Sequence, residues 1–159
     1  MNDEKNKFFM REAIRLSVEN VRSGKGGPFG AVIVKNGEII ATGVNEVTLS
    51  NDPTAHAEVV AIRNACRELG SFQLTDCDIY TSCEPCPMCL GAIYWARPDR
   101  LFFANTKEDA AEIDFDDRFI YEEIAAPMAG RQLPTVQIMR DEALVAFRLW
   151  KQSANKVEY

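Results

Sequence analysis

His56 is the only histidine in 159 residues, and Glu58 stands two residues after it. About thirty residues further along comes Pro85-Cys86-Pro87-Met88-Cys89. One imidazole and two thiolates suit Zn²⁺ and leave its fourth tetrahedral position open to water. A carboxylate beside that position, not itself a ligand, can take a proton from the water and hand it on. The spacing also says where such a site is built. Residues two apart on a mid-helix surface point in different directions, so His56 and Glu58 can serve one ion only from the end of a helix. Cys86 and Cys89, three apart, share one face in the first turn after Pro85. Two helix N-termini then converge, and their positive ends favour thiolate over thiol.

Plainer uses of these residues compete with that reading. A lone histidine is often a satisfied polar residue, and Cys-x-x-Cys can be a redox pair. Both would have to hold at once, in the order a metal site requires. The sharper rival is a closed structural zinc site with Cys83 as fourth ligand. It leaves Glu58 without a purpose. With the position open, the metal ligands are His56, Cys86 and Cys89, one zinc per chain, and Glu58 is the acid and base of an amine hydrolysis.

The elements that position these residues follow from periodicity. Phe8, Phe9, Ile14, Leu16, Val18 and Val21 recur near helical spacing, and Gly24 stops that helix. Residues 31–34 and 38–42 flank Asn36-Gly37, a two-residue hairpin signal. Asn45 to Asp52 reads as a loop. Asp52-Pro53 predicts the start of a second helix, with Val59, Ile62, Ala65, Cys66 and Leu69 as its apolar stripe and Gly70 as its end. A strand over 78–82, a helix from Pro85 to Arg97 and a strand over 100–104 come next. The region from Lys107 is helical in pieces, broken by Pro127 and Gly130. Thr135–Met139 reads as a last strand, Ala143 to Trp150 as a last helix, and Asn155–Tyr159 as a tail. This order predicts an α/β fold: a three-layer α/β/α sandwich on a mixed central sheet, with both site helices on one face. Tyr94 and Trp95 are assigned to core packing.

Composition bounds the rest. At 47% apolar, residues 1–159 make one globular domain with material for a core. Met1 to Lys7 is polar and no apolar run could span a bilayer, so no leader and no membrane partner are expected. Three of the five cysteines fall within seven positions, which in a cytoplasmic protein favours metal over disulfide. Cys66 and Cys77 are read as small core residues. The net charge of −6 speaks against a nucleic-acid partner. Lys107–Glu123 alone carries eight carboxylates against Lys107 and Arg118.

Together these blocks resemble the cytidine deaminase-like superfamily, and more closely its small bacterial-type guanine deaminases. The resemblance runs through residues 27–34, 51–58 and 80–98, of which the first two blocks and much of the third are shared with tRNA adenosine deaminases and bacterial cytosine deaminases of the same fold. Phe115-Asp116-Asp117-Arg118-Phe119-Ile120-Tyr121 and the tail Asn155–Tyr159 are similar to the guanine deaminases in particular. The resemblance implies zinc on His56, Cys86 and Cys89, and Glu58 as the proton carrier. It implies substrate contacts from Asn45, Asp117, Phe29, Ala57 and Tyr159. It also implies a homodimer that exchanges its C-terminal tail, residues 151–159, so that Tyr159 closes the partner subunit's site. Guanine offers N1–H and a 2-amino group to a carboxylate such as Asp117 and O6 to an amide such as Asn45, while Phe29 can stack on the purine. The expected activity is deamination of guanine to xanthine and ammonia. Guanosine or another aminated heterocycle, tRNA adenosine, and a non-catalytic zinc-stapled module are the alternatives.

Overall fold

The N-terminal apolar pattern folds as one long helix, α1 (Asp3–Arg22), which buries Phe9, Ala13, Ser17 and Asn20 at helical repeats. It belongs to a computed structural model that describes residues 3–159; Met1 and Asn2, the head of the polar N-terminal stretch, lie outside the described residues. The hairpin forms as read, from β1 (Gly30–Lys35) and β2 (Glu38–Val44). Its turn residues Asn36 and Gly37 have φ of 52° and 80°, the left-handed pair that matches strand twist. After it come a short helix, α2 (Val47–Ser50), inside the expected loop, and then α3 (Ala57–Leu69). The unit continues through β3 (Cys77–Cys83), α4 (Pro87–Ala96), β4 (Arg100–Asn105) and α5 (Lys107–Ala111). These elements form one compact unit, up to Asp117, and Arg118–Tyr159 form a second.

The sheet order is β2-β1-β3-β4. β1 is antiparallel to both neighbours, and β3 is parallel to β4. Alternation along the strands sorts side chains onto two faces. Val32, Val34 and Tyr80 face Phe9 and Ala13 of α1. Ala31, Ile33 and Ile79 face Ala57, Ala61 and Ala65 of α3 and Ile93 and Ala96 of α4. This is the three-layer sandwich on a mixed sheet, with the two site helices together on one face. Each fully buried valine or isoleucine here is worth about 1.5–3 kcal/mol.

One helix sits differently from its expected stripe. α3 buries its alanines most deeply, while Ile62, Cys66 and Leu69 pack only partly against the core. Closeness is the reason. A Cβ at Gly43 of β2 would lie 2.2 Å from the Ala57 carbonyl oxygen and 2.4 Å from the Ala61 nitrogen, so the α3 backbone lies directly on the strand. Only small side chains fit in that seam. Tyr94 and Trp95 are not core residues: both project from the outer side of α4 and are well exposed.

The second unit contains α6 (Arg118–Ala125), a 3₁₀ turn over Met128–Gly130 and α7 (Arg140–Gln152). Thr135–Met139 does not form a strand. Among the described residues no neighbouring strand supplies it with a ladder, and Met139 turns to a φ of 54° ahead of α7. Among the described residues, no helix is long and apolar enough to cross a membrane.

Candidate active site and metal centre

Each arm of the site begins with a helix that starts later than its proline announced. Asp52 does not cap α3. Its Oδ1 accepts from the Thr54 backbone N–H at 2.8 Å and from the Thr54 hydroxyl at 2.7 Å, closing a separate turn. The helix begins at Ala57, and His56 is its N-cap in extended conformation, φ −72° and ψ 156°. Likewise α4 starts at Pro87 instead of Pro85, with Cys86 as N-cap at φ −63° and ψ 167°. Caps are usually residues whose side chains bond back to the helix amides. Neither His56 nor Cys86 does so. Their side chains lean over the helix ends and meet each other.

His56 Nδ1 lies 3.6 Å from Cys86 Sγ and 3.5 Å from Cys89 Sγ. The three donor atoms all lie within 4.8 Å of one another. Zinc bonds of about 2.3 Å to sulfur and about 2.0 Å to nitrogen put tetrahedral N and S donors about 3.5 Å apart. The donor set and its spacing therefore fit one zinc ion with a position to spare. Cys83 stays outside the group, its Sγ turned to the Thr106 carbonyl at 3.6 Å. Burial pushes its thiol up to about 11. All five cysteines are free of disulfides.

The electrostatics centre on shared protons. The Cys86 thiol is drawn down to about 4, first by its bond with Cys89 and then by His56. Cys89 is pushed the opposite way, by Cys86 and by burial. The His56 imidazole is raised chiefly by its Cys86 partner. Glu58 sits in the first turn of α3, only 6% exposed, and loss of solvent raises its carboxyl above the usual range. Asp117 is raised as well, by burial and then by the charge on Cys86.

Around this centre the other expected residues divide. Asn45 is buried, and its Oδ1 accepts from the backbone N–H of Gly27 and of Val47, both at 3.4 Å. Those two donors orient the amide, and its NH₂ is the end left to donate. The Asn45 backbone N–H bonds to Phe29 O at 3.1 Å, which ties the two residues together. Phe29 is half-buried and meets Phe115 edge to face, centroids 5.0 Å apart and planes at 87°. Ala57 is wholly enclosed in the core, 0% exposed. Tyr159 lies in the second unit, its side chain 67% exposed.

Two residues beside the site carried no assigned role in the sequence. Phe115 stood in the stretch similar to guanine deaminases, but nothing local shows that its ring meets Phe29. Asn20 did leave a signal: a polar residue in helical register with Phe9 and Ala13.

Residues 3–105 match the family described as the cytidine and deoxycytidylate deaminase zinc-binding region. The chain is 60% identical over 151 residues to guanine deaminase of Bacillus subtilis (strain 168), covering 95% of this chain and 97% of that protein. The X-ray structure of guanine deaminase from Bacillus subtilis matches with a TM-score of 0.94 at 59% identity, over 100% of this chain and 99% of that one. A tRNA-specific adenosine deaminase of Aquifex aeolicus (strain VF5) is 41% identical over 97 residues, 61% of this chain and 64% of that protein. The matched region spans the sheet, α3 and α4, and so contains both helix ends that bring His56, Cys86 and Cys89 together. By that match and that geometry, this chain belongs to the zinc-binding cytidine and deoxycytidylate deaminase family.

Proposed function

We propose that this chain hydrolyses guanine to xanthine and ammonia. One observation carries the reading: a buried Glu58 beside a three-donor metal group, in a chain 60% identical to a guanine deaminase along 95% of its length. His56, Cys86 and Cys89 hold one zinc per chain. When bound, zinc supplies the Lewis acidity that makes water a nucleophile near neutral pH. Glu58 takes the proton of the attacking water on its carboxylate and delivers it to the 2-amino nitrogen. A C2–O bond forms, the C2–N bond breaks, and the nitrogen leaves as ammonia. Its buried position brings the carboxyl closer to working pH, where proton transfer in both directions is efficient.

The purine is held by groups already oriented by the fold. The Asn45 NH₂ donates to O6, Asp117 accepts from the N1–H and 2-amino edge, and Phe29 stacks on the ring. The Ala57 backbone N–H, in the first turn of α3, has no acceptor within its own helix. A cytoplasmic, reducing location suits a site built on two thiolates.

The subunits pair and exchange residues 151–159, so that Tyr159 covers the partner subunit's site. The second unit supports this. Neither α6 nor α7 buries a side chain, while Leu133, Val136, Ile138, Phe147 and Leu149 are all exposed. Apolar surface of that extent marks an association face. In this reading the domain of residues 1–159 is completed by its partner.

Ammonia release from guanine, guanosine, adenine, cytosine and a tRNA stem-loop tests the substrate. Guanine is expected to react far ahead of the others, and an equal or better rate with any of them would overturn the reading.

A further inference from the structure

Asn20 is 3% exposed on the buried face of α1, which it shares with Phe9, Ala13 and Ser17. A buried amide is costly unless its polar groups are bonded. Both donor bonds of Asn20 leave the helix: Nδ2 donates to Gly27 O and to Asn45 O, each at 2.9 Å. The same two segments are bonded to one another. Gly27 O also accepts from Phe29 N at 2.8 Å, Phe29 O accepts from Asn45 N at 3.1 Å, and Asn45 Oδ1 accepts from Gly27 N at 3.4 Å. These bonds close a ring through Asn20, Gly27, Phe29 and Asn45, and Asn20 is its only member outside the two loops. The ring has no slack. A Cβ at Gly26 would lie 2.0 Å from Asn45 O and 2.9 Å from Asn20 Nδ2.

We propose that Asn20 is a positioning residue for the purine: by holding the Gly27 and Asn45 carbonyls on one amide, it sets the spacing between the Phe29 ring and the Asn45 amide. This rests on the reading that Phe29 and Asn45 bind the substrate. The zinc group and Glu58 stand on α3 and α4, across the sheet from α1, and do not depend on that amide. Loss of Asn20 therefore loosens ground-state binding more than it disturbs the metal or the proton carrier. A loss of that kind appears in KM before kcat.

The test uses the full zinc-loaded chain and guanine, comparing N20A, N45A and the double variant by zinc content, melting temperature, KM and kcat. N20A is expected to keep one zinc and raise KM about tenfold, the scale of one or two buried hydrogen bonds, with a smaller change in kcat. On the N45A background the same substitution is expected to add little, because Asn20 acts through Asn45. A lower melting temperature with KM within about twofold of wild type, while N45A raises KM, would overturn the positioning role and leave the substrate reading intact. Full multiplication of the two KM effects overturns it too. If N45A itself leaves KM unchanged, the substrate reading falls and this proposal with it. Should N20A fail to fold, N20S decides by the same criteria, its hydroxyl retaining a donor for one of the two carbonyls.

Discussion

α3 and α7 are both helices of 13 residues, one in each unit. α3 lies on the sheet and buries Ala57, Glu58, Ala61 and Ala65. α7 buries nothing, and Phe147 is 74% exposed. Both have an apolar side and a polar side, and both form. A two-sided pattern makes a helix, but the pattern becomes a core only where a second surface is supplied. The first unit supplies one within itself, at the strand seam beside Gly43. For the second unit, that surface is proposed to come from another copy of the chain.

The largest effects are expected at the first unit's helix ends. Cys86→Ser should lose zinc and with it all turnover, whereas Cys83→Ser should keep one zinc per chain. Elemental analysis of the two proteins distinguishes an open three-donor site from a closed one. Next in size is Glu58→Gln. It should retain zinc and fold but lose roughly a hundred- to ten-thousand-fold in kcat, the worth of a positioned acid and base. More than about a tenth of the wild-type rate would mean that another group moves the proton.

The tail tests whether the second unit, unlike the first, finds its covering surface on another chain. Deleting Asn155–Tyr159 should leave a folded, zinc-loaded protein with severely reduced guanine turnover. Mixing it with Glu58→Gln after subunit exchange should restore activity, because some mixed dimers then hold one site with both an intact acid and an intact tail. No rescue despite demonstrated exchange of subunits would show that each chain closes its own site.

The smallest effects concern stability. Gly43→Ala forces a methyl group into the α3 backbone and should cost about 1–3 kcal/mol, independent of protein concentration. Leu149→Ser, on the exposed face of α7, should cost about 1 kcal/mol, and only where subunits are associated. Melting curves at two concentrations separate the cases. A loss independent of concentration would place Leu149 in a core of its own chain.

Much of the first unit was legible along the chain because its signals are local. Asn36-Gly37 sets a turn by left-handed conformations that few other pairs adopt so readily, and strand alternation sorts residues onto faces one at a time. The metal group was legible for a related reason: His56, Cys86 and Cys89 are rare residues at spacings that only a helix end can use. Helix starts were misplaced where a local signal lost to a neighbour. Asp52 carries a good capping side chain but spends it on Thr54, which frees His56 to serve as the cap. Thr135–Met139 has a strand's composition, but a strand exists only when another offers it a ladder.

The chemistry was written along the chain: the donor set, its order, the acid beside it and the mixed sheet that carries them. These depend on residue type and on separations of a few positions, which the chain holds before it folds. Packing of the layers settled the contacts around that donor set. It turned Cys83 away to Thr106, laid α3 against Gly43, set Phe115 on Phe29, and drew Asn20 to two carbonyls 18 residues apart. Such contacts join residues that are distant along the chain, and their geometry is set by how the layers pack.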